Sequence, residues 1–336
     1  MRELGEFALI ERINRHRVQP SSVFLGPGDD AAVVAAPDGR FVVTTDMLVQ
    51  NRHFRLDWSS PRDIGRKAIA QNAADVVAMG AVPTAFVVGL GLPGDTPVAV
   101  VDGLADGMWE EAARAGGGLA GGDLVRGEEL IISVTAFGDL RGRPPITRSG
   151  AREGDTVAVL GRLGWSGAGL AVLGAGHLGS EAADFAEVLA AHRVPQPPYA
   201  QMLDTPHTRA EEPATHGVAR LTAMTDISDG LLADLGHIAD ASGVGIDLDS
   251  GALGDPALDA IAALLDADAT QWILTGGEDH AFVGTWSSTD AIARGWTPIG
   301  RVFAGHGVTV DGVSRRGSGG WESFLGADSA NAEDAR

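Results

Sequence analysis

Carboxylates and hydroxyls recur in this chain in short groups, each beside a turn or an apolar run. The densest is TDISDGLL at 225–232, where Asp226, Ser228 and Asp229 fall within four residues. Asp29 and Asp30 follow a Gly-Pro-Gly turn, and Thr44, Thr45 and Asp46 close an apolar stretch. Asp75 is embedded in a helical run, and Asp123 follows Gly121 and Gly122. An all-oxygen set with no cysteine and no paired histidines suits Mg2+ or Mn2+ rather than Zn2+. Each Mg2+ takes only one or two carboxylates and fills its shell with water and phosphate oxygens. A surplus of carboxylates therefore points to several ions clamping a polyphosphate. Singly, each group has a plainer reading as turn former, strand terminator or solvated helix face. Ser228 or Asp229 is equally expected as a helix cap.

The elements that must position these groups follow from periodicity and punctuation. The N-terminal residues 1–13 read as an amphipathic helix. A strand follows the acidic pair Asp29-Asp30, and a second at 40–45 runs into Asp46. Ser60 and Pro61 form a cap and first helical position for a helix over 62–79 that carries Asp75. A strand at 84–92, a helix at 98–115 ended by glycines, a short strand ending in Gly121-Gly122-Asp123 and a strand at 129–137 complete the first half. Two adjacent strands open it, so the fold class is α/β with mixed sheets rather than a strict βαβ series.

A stretch rich in Arg, Gly and Pro at 139–154 reads as the junction. It divides the chain into an N-terminal domain at 1–146, a C-terminal α/β domain at 147–326 and a frayed tail at 327–336. The second half predicts a strand at 156–161, a tight glycine turn, a helix at 167–173 and a surface loop at 196–217 around a short helix. Beyond the DISDG stretch it predicts a helix from Leu231, strands at 245–249 and 271–275, a helix at 256–265 and strands at 297–303 and 307–310. Strand-end carboxylates in such a domain tend to converge on one edge of the sheet, where ligands bind.

Composition narrows the chemistry. The 336 residues carry a net charge of −20, which argues against nucleic acid and anionic membrane as partners. No cysteine is present, so thiolate nucleophiles and thiolate metal sites are excluded. Lys67, the only lysine, has no glycine loop before it, which excludes a P-loop and the protein-kinase arrangement. Arg148 is a candidate phosphate fork. His53 follows the Asp46 strand and could reach a substrate phosphate, whereas His177, His192, His207 and His216 read as loop residues. The N-terminus lacks the layout of a signal peptide and the longest apolar run is too short to span a bilayer, so the cytoplasm is expected.

The segments GPGDDAAVV, TTDMLVQNRHF, NAADVVAMGAVP, GGDL, TRSGAREGD, DISDGLLADL and TGGEDHAF occur here in one order. In that order they resemble the thiamine-monophosphate kinases, of the aminoimidazole ribonucleotide synthetase superfamily. The resemblance implies ATP-dependent phosphorylation of thiamine monophosphate to thiamine diphosphate, with ATP as co-substrate and several Mg2+ ions. It implies a two-domain fold in which N-terminal strands pair across a homodimer into a barrel. By the same resemblance Asp30, Thr44, Thr45, Asp46, Asp75, Asp123, Asp226 and Asp229 are Mg2+ ligands. Gly122, Asp123, Arg148 and Ser228 are implied ATP contacts, and His53, Glu278 and Trp321 implied thiamine monophosphate contacts. The cysteine-dependent branches of the superfamily are excluded by composition.

Overall fold

The computed structural model describes residues 12, 14–25, 33–177, 184–205, 220–288 and 292–314. Nearly all of the expected N-terminal helix lies outside the described residues, as do Asp29, Asp30, Trp321, the tail and 206–219 of the expected loop.

A short ladder of β1 (Val23–Leu25) and β2 (Val33–Val34) precedes a four-stranded sheet. Its order is β3 (Val42–Val49), β6 (Ile131–Asp139), β4 (Val82–Leu92), β5 (Leu119–Arg126), and only β4 and β5 are parallel. Alternation along the strands gives the sheet two different faces. Leu48, Phe86, Ile132 and Val134 are fully buried on one, whereas Val43, Met47 and Val125 on the other are each more than half exposed.

Helices α1 (Pro61–Ala78) and α2 (Val98–Ala115) cover the buried face. The Ser60 hydroxyl accepts from the Asp63 amide and the Asp63 carboxylate answers to the Ser60 amide, a capping box with Pro61 behind it. The two helices meet backbone to backbone at glycines. A Cβ at Gly65 would lie 2.1 Å from the Leu104 carbonyl oxygen, and one at Gly107 would lie 2.0 Å from that of Arg62.

The second sheet has seven strands in the order β13 (Val313–Ser314), β12 (Gly307–Val310), β9 (Gly245–Leu248), β11 (Thr297–Phe303), β7 (Thr156–Leu160), β10 (Phe282–Trp286), β8 (Leu221–Asp226). Helices α3 (Trp165–Gly174), α4 (Ala186–Arg193), α6 (Leu231–Ser242), α7 (Pro256–Leu265) and α8 (Ala269–Thr275) build a core on one face with Val157, Val159 and Val283. The short α5 (Tyr199–Leu203) lies elsewhere, with Tyr199 and Met202 in the first core. On the sheet's other face Leu160, Met224, Phe282 and Trp286 join that same core, which also holds Ile64, Ala68 and Val76 of α1. Helix α1 is therefore buried almost all round, and apolar burial of this extent is what fixes the two domains against each other.

Three expectations are corrected. Residues 271–275 are helical, within α8, because Asp268 caps them by accepting from the Thr270 amide; the apolar run is too short to show its period. Strands β3 and β5 continue past Asp46 and Asp123, since ladder pairing runs on to Val49 and Arg126. Neither the Ser228 nor the Asp229 side chain caps α6. Asp234, inside the helix, reaches back and accepts from the Asp229 and Gly230 amides, each at 3.1 Å.

Candidate active site

A cleft of about 1850 Å³ opens between the two domains. Along α1, Lys67, Gln71 and Asp75 fall at i, i+4 and i+8 and line it as one ridge. Two side-chain bonds set β3 against this helix. Thr44 Oγ1 donates to Asp75 Oδ2 at 2.9 Å, and the Asp46 amide donates to Asn72 Oδ1 at 3.0 Å.

From the second domain, the end of β8 brings Asp226 and the loop after it Ser228 and Asp229, and the loop 276–280 lies directly against that loop. The amides of Glu278 and His280 donate to the carbonyls of Ser228 and Ile227, each at 2.8 Å. Such close approach needs glycine: a Cβ at Gly277 would lie 2.7 Å from the Ser228 carbonyl oxygen.

Three consecutive side chains of that loop reach three different elements. Glu278 pairs with Lys67 Nζ of α1 at 2.8 Å. Asp279 accepts from the Gly164 and Ser166 amides at the start of α3, at 2.5 and 3.0 Å. His280 Nδ1 lies 3.0 Å from Asp226 Oδ2. Glu278 and His280 hold left-handed backbone, φ 65° and 49°, a costly conformation for residues with a Cβ.

Electrostatics separate the cleft into two regions. In the first, burial and then the neighbouring Asp226 and Asp46 push the Asp75 carboxyl up to about 7. Burial and Asp226 also raise Asp229, and burial, Asp226 and Asp229 push Asp234 to about 7. Crowded carboxylates that raise one another are relieved by cations, and an all-oxygen set of this kind fits Mg2+. Among the described residues no three acidic or histidine side chains form a single ligating group. Asp30 lies outside the described residues.

The second region is held by Lys67. Burial pushes the Glu278 carboxyl up, but Lys67 and His192 more than offset this and leave it below the usual carboxylate range. Burial, with Lys67 behind it, drives His192 down to about 4 and His53 below its ordinary value. His53 Nδ1 accepts from the Val49 amide at 3.0 Å, so the neutral ring carries its proton on Nε2 and can donate to a phosphate oxygen. Two tryptophans, Trp58 and Trp272, also line the cleft.

The structure brings Thr44, Asp46, Asp75, Asp226, Ser228 and Asp229 to the first region, and His53 and Glu278 to the second. Arg148 is tied to β8, donating from Nε to Thr225 Oγ1 at 3.3 Å, and its charge is felt at Asp229. Thr45 borders the cleft, whereas Asp123 is not among the residues that line it. Register aligns Asp46 with Val134, Val88 and Gly122, so Asp123 and Thr45 occupy the opposite, open face of the sheet.

Sequence reasoning passed over Lys67, His280 and His192, which sits in α4 rather than a loop. Lys67 carried a signal, being a lone lysine at an apolar helical position four residues before Gln71 and eight before Asp75.

The two halves of the chain match the two domains of the AIR synthase related proteins. The N-terminal domain of that family matches residues 28–140 and its C-terminal domain residues 152–312. The thiamine-monophosphate kinase of Mycobacterium tuberculosis is 54% identical over 331 residues, 96% of this chain and 93% of that protein. The crystal structure of thiamine-monophosphate kinase from Stenotrophomonas maltophilia K279a superposes with a TM-score of 0.78 at 33% identity, covering 93% of this chain and 98% of that one. AaThiL complexed with AMPPCP and TMP superposes with a TM-score of 0.72 at 29% identity, covering 96% and 98%. The chain belongs to the AIR synthase related family and, within it, to the thiamine-monophosphate kinases.

Proposed function

We propose that this chain transfers the γ-phosphoryl group of ATP to the phosphate of thiamine monophosphate, giving thiamine diphosphate. The observation that carries the reading is the division of one cleft into an acidic region at Asp46, Asp75 and Asp226 and a neighbouring region at His53, Lys67 and Glu278. A family relative with a nucleotide analogue and TMP supports it. The acceptor phosphate has a second pKa of about 6 and is largely dianionic at neutral pH, so it needs no general base. What the protein must supply is proximity of two polyanions and compensation of their charge.

Asp46, Asp75, Asp226 and Asp229 would hold Mg2+, with Thr44 beside Asp75, and Asp30 is the further ligand expected. Bound there, the ions would neutralise the polyphosphate and the developing charge on the transferred group. Arg148, Ser228 and Gly122 are the proposed nucleotide contacts. Neutral His53 would donate to the acceptor phosphate and Glu278 would face the cationic thiazolium ring, with Trp321 a further contact.

The open face of the four-stranded sheet, with Val43, Met47 and Val125 exposed, is the surface on which we propose that a second copy closes the barrel. Asp123 and Thr45 lie on that face and would act at or across the interface. No described helix is long and apolar enough to cross a membrane. The cytoplasm, which holds ATP, is the compartment this reaction requires.

Incubation with Mg2+, ATP and thiamine monophosphate tests the proposal, with thiamine diphosphate expected. ADP formed only with a different acceptor would instead favour another activity of the superfamily. ATP bound without any turnover would favour a nucleotide-binding regulator.

A further inference from the structure

Lys67 belongs to the second region of the cleft but contacts neither substrate in the proposed reaction. It is the only lysine in 336 residues, and its side chain is 3% exposed. It sits in a helix whose buried residues are mostly apolar, Ile64, Ala68 and Val76 among them. Burying an ammonium costs several kcal/mol unless partners compensate, so its partners are informative. There are two. Nζ lies 2.8 Å from Glu278 Oε1 in the second domain, and 3.0 Å from the backbone carbonyl of His53 in the loop after β3.

Those are the two described residues proposed to contact thiamine monophosphate. They come from different domains and from segments 225 positions apart, and Glu278 is further held in left-handed backbone. Because Lys67 uses only one carboxylate oxygen of Glu278, the other lies 3.6 Å from His192 Nδ1 and the side chain stays one-third exposed to the cleft. Two turns along the same ridge, about 12 Å away at 1.5 Å per residue, is Asp75. One rigid helix thus carries both the acidic region and the lysine that organises its neighbour.

We propose that Lys67 is a positioning residue for the acceptor substrate: its ammonium clamps Glu278 and the His53 loop into one thiamine monophosphate subsite across the domain junction. The proposal rests on the function stated above. A merely structural ion pair would couple the domains without favouring either substrate, whereas a positioning role is specific to the acceptor.

The test is steady-state kinetics of Lys67→Met beside the wild type, with each substrate varied in turn. Truncating one member of a buried charge pair should raise KM for thiamine monophosphate by roughly tenfold or more while KM for ATP changes less than about twofold. A rise in both KM values by the same factor would overturn the proposal. A second measurement needs no variant. The full-length chain labelled at lysine Cε with 13C gives one protein signal, which should shift on adding thiamine monophosphate and stay in place with a non-hydrolysable ATP analogue alone. A signal indifferent to thiamine monophosphate would overturn the proposal. If the wild type makes no thiamine diphosphate at all, the functional reading itself fails, and the proposal falls with it.

Discussion

His280 Nδ1 lies 3.0 Å from Asp226 Oδ2, both side chains are buried, and the histidine is held there by left-handed backbone. Burial alone would lower His280, but the bond and charge of Asp226 outweigh it and raise it. The histidine therefore orients the carboxylate that the edge strand β8 of the second domain delivers to the acidic region. With His280→Asn, Asp226 keeps its place in the chain but loses this imidazole partner. Partners behind a metal ligand typically contribute about 10- to 100-fold to metal affinity, so the Mg2+ concentration for half-maximal activity should rise by that order. Direct calorimetric titration with Mn2+ should show the same weakening, and unaltered Mn2+ binding would contradict the assignment.

Asp75→Asn should lower turnover by at least about a hundredfold, the scale expected when a group stabilising transferred charge is lost. Its effect on stability has the opposite sign. Burial and the nearby Asp226 and Asp46 raise the Asp75 carboxyl to about 7, so the folded state holds a proton that the unfolded chain releases near pH 4. Stability from this group is present at low pH and lost as pH climbs to 7. In Mg2+-free buffer at pH 8 the variant should melt a few degrees above wild type. Near-normal turnover, or a lower melting temperature under those conditions, would count against the carboxylate cluster.

Acid stability should respond to His192. Burial, then Lys67, holds its folded pKa at about 4, below the ordinary 6.5 of the unfolded chain. Below pH 6.5 the unfolded state therefore binds a proton that the folded state refuses, and stability declines until pH 4. This single group accounts for up to about 3 kcal/mol of that decline. Asp75, Asp234 and Asp279 act in the other direction over much of this range, so the difference between variant and wild type is the informative quantity. Urea midpoints of His192→Asn, measured from pH 7 to pH 4, should fall less steeply than those of wild type. Parallel curves would show that His192 is not held neutral.

The bare face of the four-stranded sheet predicts association. Met47 is 54% exposed on the edge strand β3, beside Val43 and across from Ser133 of β6. Met47→Glu places a charge in the proposed dimer interface and should halve the mass measured by light scattering, with little effect on the melting of each protomer. A wild-type chain that is monomeric would refute the proposed barrel.

Much of this architecture was legible in the sequence because local rules and tertiary packing agree. Ser60, Pro61 and the glycines after Ala115 punctuate α1 and α2 where cap chemistry says they should. Legibility failed where packing decides. No side chain caps α6; Asp234, one turn inside the helix, instead accepts from the Asp229 and Gly230 amides that precede it. Residues 271–275 show no helical period because α8 is only seven residues long. Asp123 shares the acidic theme of Asp46, but pleating and register put the two on opposite faces, a relation that no one-dimensional spacing records. The Lys67 to Glu278 pair spans two domains, and only the fold brings its members within 2.8 Å.

The central claim is direct transfer between two phosphates held in one cleft, with no enzyme-bound phosphoryl intermediate. Incubating the chain with γ-32P-labelled ATP, Mg2+ and thiamine monophosphate, then quenching and separating protein from small molecules, tests it most directly. The account predicts that the label appears in thiamine diphosphate and that none remains on the protein at any time point. Label trapped on the protein, or ATP consumed with no labelled thiamine diphosphate, would contradict it.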